Sequence, residues 1–217
     1  MFNLSERTYY NKRIPKQKFY DNLKVNNKLE KQFTTEIESI YWKHKLSPET
    51  LNISAGTNVQ EIEIIEITVR QQGISTNIIE AIDREIPYHI LFVLRYHNLV
   101  QLWISYKESS KNREGKFKVD SYYCSTWAKP DQFEIAIEGL TLDNVYENLI
   151  VQLAGDKLNL AEYTDLKAAV SKAKETDKLE KQIEQLENKI AREKQFNRQV
   201  KLMGELRSLK SRLENSF

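Results

Sequence analysis

The chain has 217 residues, of which 40% are hydrophobic and 29% charged, and it carries 11 Tyr, 8 Phe, 3 Trp and a single cysteine. So many large apolar side chains exclude wholesale disorder, and one cysteine excludes an internal disulfide and a thiolate zinc site. No stretch approaches the ~20 apolar residues that cross a bilayer, and Met1 to Tyr10 lacks the apolar run of a secretory signal, so we expect a soluble, cytoplasmic protein with no membrane contact.

The net charge of +2 conceals a segregation along the chain. Residues 1–31 hold eight Lys/Arg against three Asp/Glu, residues 32–166 hold twelve against twenty, and residues 167–217 hold thirteen against eight. Basic ends therefore flank an acidic middle. This distribution fits ends that contact phosphate or an acidic protein surface, and it also fits a solvated lysine-rich face.

Two helices are predicted near the N-terminus. Pro15 is tolerated in the first turn of a short helix over residues 16–24. The apolar residues that follow recur at helical spacing, at Leu29, Phe33, Ile37, Ile40 and His44. This spacing predicts a longer helix over residues 28–45 with one apolar stripe on the core, and Ser47-Pro48 ends it.

A strand, a helix and a second strand come next. Residues 59–69 alternate like a strand, but the apolar positions change parity at Ile64-Ile65, so either a bulge lies there or both faces are buried. Residues 75–86 have helical spacing, with Pro87 after them. The continuous apolar run over residues 88–95 predicts a central strand that is covered on both faces.

An antiparallel meander completes the predicted sheet. His97-Asn98 predicts a hairpin turn, with Asn98 as the residue that tolerates positive φ, into a strand over residues 99–106. A polar loop then leads to a third strand over residues 116–127, and Phe133, Ile135 and Ile137 alternate as an edge strand.

A last helix closes the globular part. Thr141 is its predicted N-cap, Leu140 and Val145 form a hydrophobic staple, and Gly155 takes the left-handed conformation at its C-terminal end. We therefore predict an α+β domain over residues 1–155, with a mixed sheet of four to five strands, an antiparallel meander and flanking helices.

Residues 156–217 form a charged tail with a helical, coiled-coil-like pattern. Its apolar residues step 4-3-4 in two stretches, Leu179, Ile183, Leu186 and Ile190, then Leu202, Leu206, Leu209 and Leu213. The two stretches are out of phase, and only Phe196 and Val200 are large and apolar between them. The tail is expected to bend, to fold back as a helical hairpin or to present two stripes to two surfaces. These ten side chains are our candidate partner-binding residues, for self-association or for another protein, and packing on the globular domain is the alternative.

The sequence carries few catalytic patterns. There is no glycine-rich phosphate loop, and Cys124 in a predicted strand indicates a packed thiol. Glu61, Glu63 and Asp83 are the carboxylates of a divergent metal-dependent nuclease hypothesis. The acid-x-Lys spacing of such nucleases is missing, which favours solvated glutamates on a strand. We predict no cofactor and no metal site.

Basic and aromatic residues alternate near the N-terminus. Lys12, Arg13, Lys16 and Lys18 are interleaved with Tyr9, Tyr10, Phe19 and Tyr20. Cations bind phosphates and aromatic rings stack on bases, so the four basic residues are our candidate nucleic-acid-binding residues. The alternative is that these aromatic side chains anchor a helix to the core.

Several segments together resemble a known family. They are Asn11–Lys16, Tyr41–Ser54, Val59–Ile67, Ala81–Leu94 and Lys194–Glu214. The chain is similar in these segments to small bacterial proteins known only as a domain of unknown function, found among restriction-like defence genes beside helicases and DNA methyltransferases. Gly204 stands where a polar residue such as Asn is expected in that family.

The resemblance implies a setting rather than a reaction. Our leading hypothesis is a non-catalytic accessory subunit of a bacterial DNA-processing or anti-phage assembly, which docks on a helicase or DNA methyltransferase through its C-terminal helix. A divergent metal-dependent nuclease and a freestanding homodimeric regulator are the two alternatives.

Overall fold

The computed structural model describes residues 4–19, 27–109, 117–158 and 165–214. The chain divides into two compact units, Met1–Gly155 and Asp156–Phe217. Across the described residues, no helix combines the length and the apolar character needed to cross a membrane.

A six-stranded mixed sheet forms the first unit, with the strands in chain order. The strands are β1 Tyr9–Arg13, β2 Ile37–Leu46, β3 Ile62–Val69, β4 His89–Tyr96, β5 Leu99–Ser109 and β6 Phe117–Cys124. β3 and β4 pair in parallel, and the other neighbours pair antiparallel. The predicted α+β class and the antiparallel meander are confirmed, and the sheet is larger than the four to five strands predicted because β1 and β2 were not foreseen.

Four α-helices of this unit lie wholly within the described residues. They are α1 Asn27–Glu36, α2 Pro48–Leu51, α3 Thr76–Glu85 and α4 Leu142–Ala154. Ser75 precedes α3 and Thr141 caps α4 by accepting a hydrogen bond from the Asn144 amide, as predicted. Of the short helix predicted at 16–24, residues 17–19 are helical and 20–24 lie outside the described residues.

The main core cluster packs α1 and α3 against one face of the sheet. The run from Ile90 to Leu94 is buried at every position, which confirms the central strand. Ile90, Phe92 and Leu94 belong to the cluster with Ile78 and Ile82 of α3. The sequence of a strand that is buried on both faces is a continuous apolar run, because neither set of alternating side chains contacts water.

The single helix predicted over residues 28–45 is wrong in its second half. The helix ends at Glu36, and the chain continues as β2 from Ile37. Ile37 and Ile40 are both buried, as a helix would require, but an irregular register between Ile37 and Ser39 gives the strand the same spacing of three. Bulges change the side-chain period of a strand in this way.

Of the two alternatives considered for β3, burial of both faces is correct. Ile62, Ile64, Ile65 and Ile67 are all buried, so both faces of the strand are covered. The bulge lies opposite them in β2, where Trp42 pairs with Ile65 and His44 with Ile64.

The predicted edge strand at residues 133–137 does not form. The side chain of Gln152 in α4 binds both the amide and the carbonyl of Ala136, at 2.9 Å each, and these are the groups that a strand ladder needs. The segment therefore lies along the helix. The predicted hydrophobic staple is also wrong, because Leu140 is 86% exposed.

Three further local predictions need correction. The positive φ in the β4–β5 turn belongs to His97, at 50°, and Asn98 does not share it. Cys124 is exposed rather than packed, since it lies at the end of β6. Gly155 follows α4 with the expected positive φ of 53°, but its ψ of −134° lies outside the left-handed helical conformation that was predicted.

The second unit contains two long helices, α5 Leu166–Arg192 and α6 Phe196–Glu214. The two helices pack on each other: Lys210 pairs with Glu187 at 2.7 Å, and Leu186 and Leu209 line the same crevice. Of the two predicted leucine stripes, Ile183 and Leu202 are buried and the others are half-buried. Among the arrangements considered for the tail, the chain therefore folds into a helix pair.

Candidate nucleic-acid interface

Three of the four predicted basic residues are exposed. Lys12 and Arg13 lie on β1, which is one of the two edge strands of the sheet and pairs with β2 alone. Lys18 is exposed on the helical turn that follows. All five residues of β1 are exposed, so this edge of the sheet meets solvent with its side chains on both sides.

Lys16 has a different role from the other three. It is half-buried, and its ammonium donates to the carbonyl oxygens of Ile37 at 2.9 Å and of Phe33 at 3.4 Å, near the C-terminal end of α1. Burial lowers the pKa of Lys16, and the positive charges of Arg70 and Arg13 lower it further. Lys16 thus satisfies carbonyl groups at a helix end and adds to a local excess of positive charge.

Aromatic rings stand beside Lys12 at the strand edge. The ring centroids of Tyr10 and Trp42 are 4.2 Å apart, and the Lys12 ammonium lies 4.3 Å from the centroid of Tyr10. It also donates to the Tyr10 hydroxyl at 2.7 Å. We call Tyr10, Lys12 and Trp42 the aromatic edge. Tyr10 is 37% exposed and Trp42 is half-buried. Aromatic rings next to cations at a surface are the combination with which proteins hold single-stranded nucleic acid.

A second group of polar residues crosses β1 to β4. Arg13 pairs with Tyr41, and Tyr41 pairs with Glu66, so the three side chains share one side of the sheet. Lys43 lies 5.3 Å from the Tyr41 ring centroid and 3.7 Å from Glu66. Arg95 binds Glu66 through both Nε and Nη2 at 2.8 Å. We call these five residues the basic face, in which three cations stand against one carboxylate.

The sequence predicted only part of this surface. Tyr41, Trp42 and Lys43 fell within the helix predicted over residues 28–45, and Arg95 stood at the end of an apolar run. The available signal was the density of β-branched and aromatic residues in Ile40–Trp42, which favours a strand. Recognising β2 would have placed its aromatic and basic side chains beside β1.

The three carboxylates of the nuclease hypothesis do not form a metal site. Glu61 pairs with Lys45 at 2.7 Å. Glu63 is buried instead of solvated, which corrects the prediction, and neither of its carboxylate oxygens has a hydrogen-bond partner in the described structure. Burial and then the neighbouring Glu61 raise the pKa of Glu63 to about 8. Across the described residues, no three His, Cys, Asp or Glu side chains are grouped to hold a metal ion.

Asp83 belongs to a separate buried network. Its carboxylate pairs with the Lys107 ammonium at 2.7 Å and accepts from the Tyr122 hydroxyl at 3.0 Å. Lys107 also donates to the carbonyl of Tyr88 at 2.7 Å. The side chains of Lys107 and Asp83 are 2% and 0% exposed. Burial lowers the pKa of Lys107 and raises that of Tyr122, and the ion pair opposes the first change.

This network is enclosed, and its neighbour His89 is as well. Burial lowers the pKa of His89 to about 3, so the imidazole is neutral in the folded protein. Its ring packs edge-on against Phe117 and Tyr146, with centroids 4.6 and 4.5 Å away. These groups are closed to solvent, whereas the aromatic edge and the basic face reach the surface at the exposed residues Lys12 and Arg13.

Fold and surface together define an α+β protein with an exposed basic and aromatic sheet edge and a separate helical unit. The chain belongs to the family described as domain of unknown function (DUF4391), whose model matches residues 2–213. The resemblance to an uncharacterised family is thereby confirmed, and the association with helicases and methyltransferases stays a prediction. No curated protein and no solved structure matches the chain.

Proposed function

We propose that this protein is a non-catalytic accessory subunit of a cytoplasmic DNA-processing or anti-phage assembly, in which the sheet edge contacts nucleic acid and the helical tail docks on a helicase or DNA methyltransferase. The observation that carries the proposal is the exposed sheet edge, where the aromatic edge and the basic face lie on opposite sides of the same two strands, β1 and β2.

The chemistry of this surface fits a single strand. Arg13 has no ion-pair partner in the described structure, so its guanidinium is available to a phosphate. Tyr10 and Trp42 offer ring surface on which bases of any identity stack, at about 1–3 kcal/mol per base. Affinity from such contacts is tolerant of sequence and sensitive to salt, because cations that bind phosphate release counterions.

The docking part of the proposal rests on α6. Phe196, Val200 and Met203 are 74%, 52% and 44% exposed and follow each other at helical spacing, so they form one apolar stripe. The leucine stripes of the same unit are buried or half-buried. An exposed stripe with this spacing is how amphipathic helices enter grooves on other proteins. Exposed Arg198 and Lys201 beside it suit a groove with an acidic rim.

Reversing charge at the sheet edge should weaken binding of single-stranded oligonucleotide at least tenfold. The test variant is Lys12→Glu with Arg13→Glu, measured by fluorescence anisotropy over a range of salt concentrations. The slope of log affinity against log salt should fall by about 0.7 for each phosphate that the variant no longer neutralises.

Lys28→Glu with Lys31→Glu is the matched control, because it makes the same change in net charge on an exposed face of α1. The control should bind almost as the parent protein does. Equal losses in both variants, or affinity indifferent to salt, would show that the sheet edge is not the contact surface.

Removing the apolar stripe of α6 should abolish docking. Phe196→Ser with Val200→Ser tests this in the full chain, and Arg212→Ser with Ser208→Ala is the control on exposed positions of the same helix that lie off the stripe. The tagged protein is purified from its own host, the co-purifying helicase or methyltransferase is identified, and binding is then measured with both proteins purified.

Two further measurements distinguish the alternatives. If the parent protein is a dimer in ultracentrifugation, the stripe variant is a monomer and no partner is recovered, the homodimeric regulator would replace the proposal. Cleavage of labelled DNA or RNA with Mg²⁺ or Mn²⁺, abolished by Glu63→Gln, would replace it by the nuclease.

A further inference from the structure

An open cleft of about 330 Å³ lies at the carboxyl ends of β3 and β4. Its lining includes Thr68 and Arg70 at the end of β3, and Arg95 with His97 at the end of β4. These are the two strands that pair in parallel. In open sheets with parallel strands, ligands bind outside the carboxyl ends of those strands, because the chain turns there into loops and helix N-termini.

Several hydrogen-bond donors in the lining have no partner among the described residues. Arg70 donates Nε to the carbonyl of Ile37 at 3.3 Å, and its two terminal amino groups have no partner among the described residues. Arg95 binds Glu66 through Nε and Nη2, which leaves Nη1. A guanidinium fixed on one side and open on the other is positioned to bind an oxyanion.

The electrostatic surroundings favour an anion. Glu38 is the one carboxylate in the cleft lining, against two guanidinium groups. Arg70 is also close enough to Lys16 for its charge to lower the pKa of that lysine, and Arg13 acts on Lys16 in the same direction. The cleft therefore lies beside several positive charges, and a bound anion would reduce the repulsion between them.

His97 occupies a backbone conformation that suits glycine. Its φ is 50°, in the hairpin turn between β4 and β5. A histidine held in a conformation that disfavours it, at the edge of a cleft, is the kind of local strain found at binding sites. Its ring stands against Tyr96 with centroids 4.3 Å apart, which gives the rim an aromatic wall.

We infer that this cleft binds the phosphate monoester of a nucleotide, with Arg70, Arg95 and His97 around the phosphate and Tyr96 beside the nucleoside. The nucleotide is either free or the phosphorylated end of a strand. The inference is independent of the proposed function, because a free nucleotide would bind here even if the sheet edge contacted no nucleic acid.

Calorimetry with defined probes tests the inference on the full chain. Adenosine monophosphate should bind at least tenfold more tightly than adenosine, and an oligonucleotide with a 5′ phosphate more tightly than its 5′-hydroxyl form. Arg70→Gln should lower affinity for the monophosphate at least tenfold, Arg70→Lys should lower it less, and Lys28→Gln on α1 should leave it unchanged.

His97→Gly separates binding from folding. Glycine relieves the strained turn, so the variant should melt at a higher temperature while binding the monophosphate several-fold more weakly. A histidine that served the turn alone would give the higher melting temperature with unchanged affinity, which would overturn its part in the site.

Two results distinguish this inference from the proposed function. An oligonucleotide that binds equally with and without its terminal phosphate, together with no affinity for the monophosphate, overturns the cleft and leaves the sheet edge standing. Tight monophosphate binding that Arg70→Gln weakens, in a protein with no affinity for 5′-hydroxyl oligonucleotide, supports the cleft and removes the sheet edge.

Discussion

Replacing Lys107 with methionine should lower the free energy of unfolding by about 3–5 kcal/mol. The substitution removes the cation that lies 2.7 Å from the Asp83 carboxylate, in a network where the two side chains are 2% and 0% exposed. The carboxylate is then left in a low-dielectric environment with the Tyr122 hydroxyl as its remaining donor. Urea denaturation of the parent and the variant at neutral pH measures the difference.

A matched triple variant tests whether the loss comes from the unpaired charge. Asp83→Leu and Tyr122→Phe, added to Lys107→Met, remove the remaining polar groups together, so most of the stability should return. Lys45→Met is the control at a half-exposed ion pair, with Glu61, and should cost less than about 1 kcal/mol. A loss below that value for Lys107→Met would show that the network is hydrated and open, which would make it a candidate site in its own right.

The parts of the fold that were predictable are those in which neighbouring residues determine the structure. β3, α3 and β4 follow in the predicted order because apolar residues change from strand to helical spacing between Gly73 and Pro87. The run Ile90–Leu94 could only be a covered strand or a buried helix, and its length favoured the strand. Nothing distant in the chain was needed for either conclusion.

The prediction of a helix was wrong for the second half of residues 28–45 because distant residues determine the structure there. Ile37 and Ile40 are spaced as on a helix, but the spacing arises from an irregular pairing with β3. Such an irregularity depends on pairing with Thr68 and Val69 at the far end of β3, so spacing alone could not reveal it. The aromatic residues Tyr41 and Trp42 carried the contrary signal.

The sequence predicted the residues of the candidate surface only where they lie together in one segment of the chain. Lys12 and Arg13 stand out beside Tyr10 in the sequence, and the structure leaves them exposed. Trp42 and Arg95 join them only because β1 pairs with β2 and β3 pairs with β4. Lys16 was grouped with the other basic residues in the sequence, but its ammonium binds carbonyl groups at the end of α1. That contact depends on the fold and could not be predicted from the neighbouring residues.

Replacing Glu63 with glutamine should stabilise the protein at alkaline pH and change the pH dependence of its stability. Burial, followed by the neighbouring Glu61, raises the pKa of Glu63 from 4.5 to about 8. Between these values the unfolded chain loses the proton while the folded chain keeps it. The folded protein therefore loses stability as the pH rises from about 4.5 to about 8, by at most about 1.4 kcal/mol per pH unit.

The measurement is urea denaturation of both proteins at pH 5 and pH 8. Glutamine cannot ionise, so the variant should have nearly the parent stability at pH 5 and exceed it by about 1 kcal/mol or more at pH 8. Glu61→Gln is the control. The Glu61 carboxylate is partly exposed and paired with Lys45, so removing its charge should not by itself stabilise the protein. The loss of stability between pH 5 and pH 8 should be smaller in this control than in the parent, because the charge of Glu61 contributes to the raised pKa of Glu63. Parallel stability curves for the parent and Glu63→Gln would mean that Glu63 is ionised in the folded protein, and a charged carboxylate in that position would require a cation that holds it there.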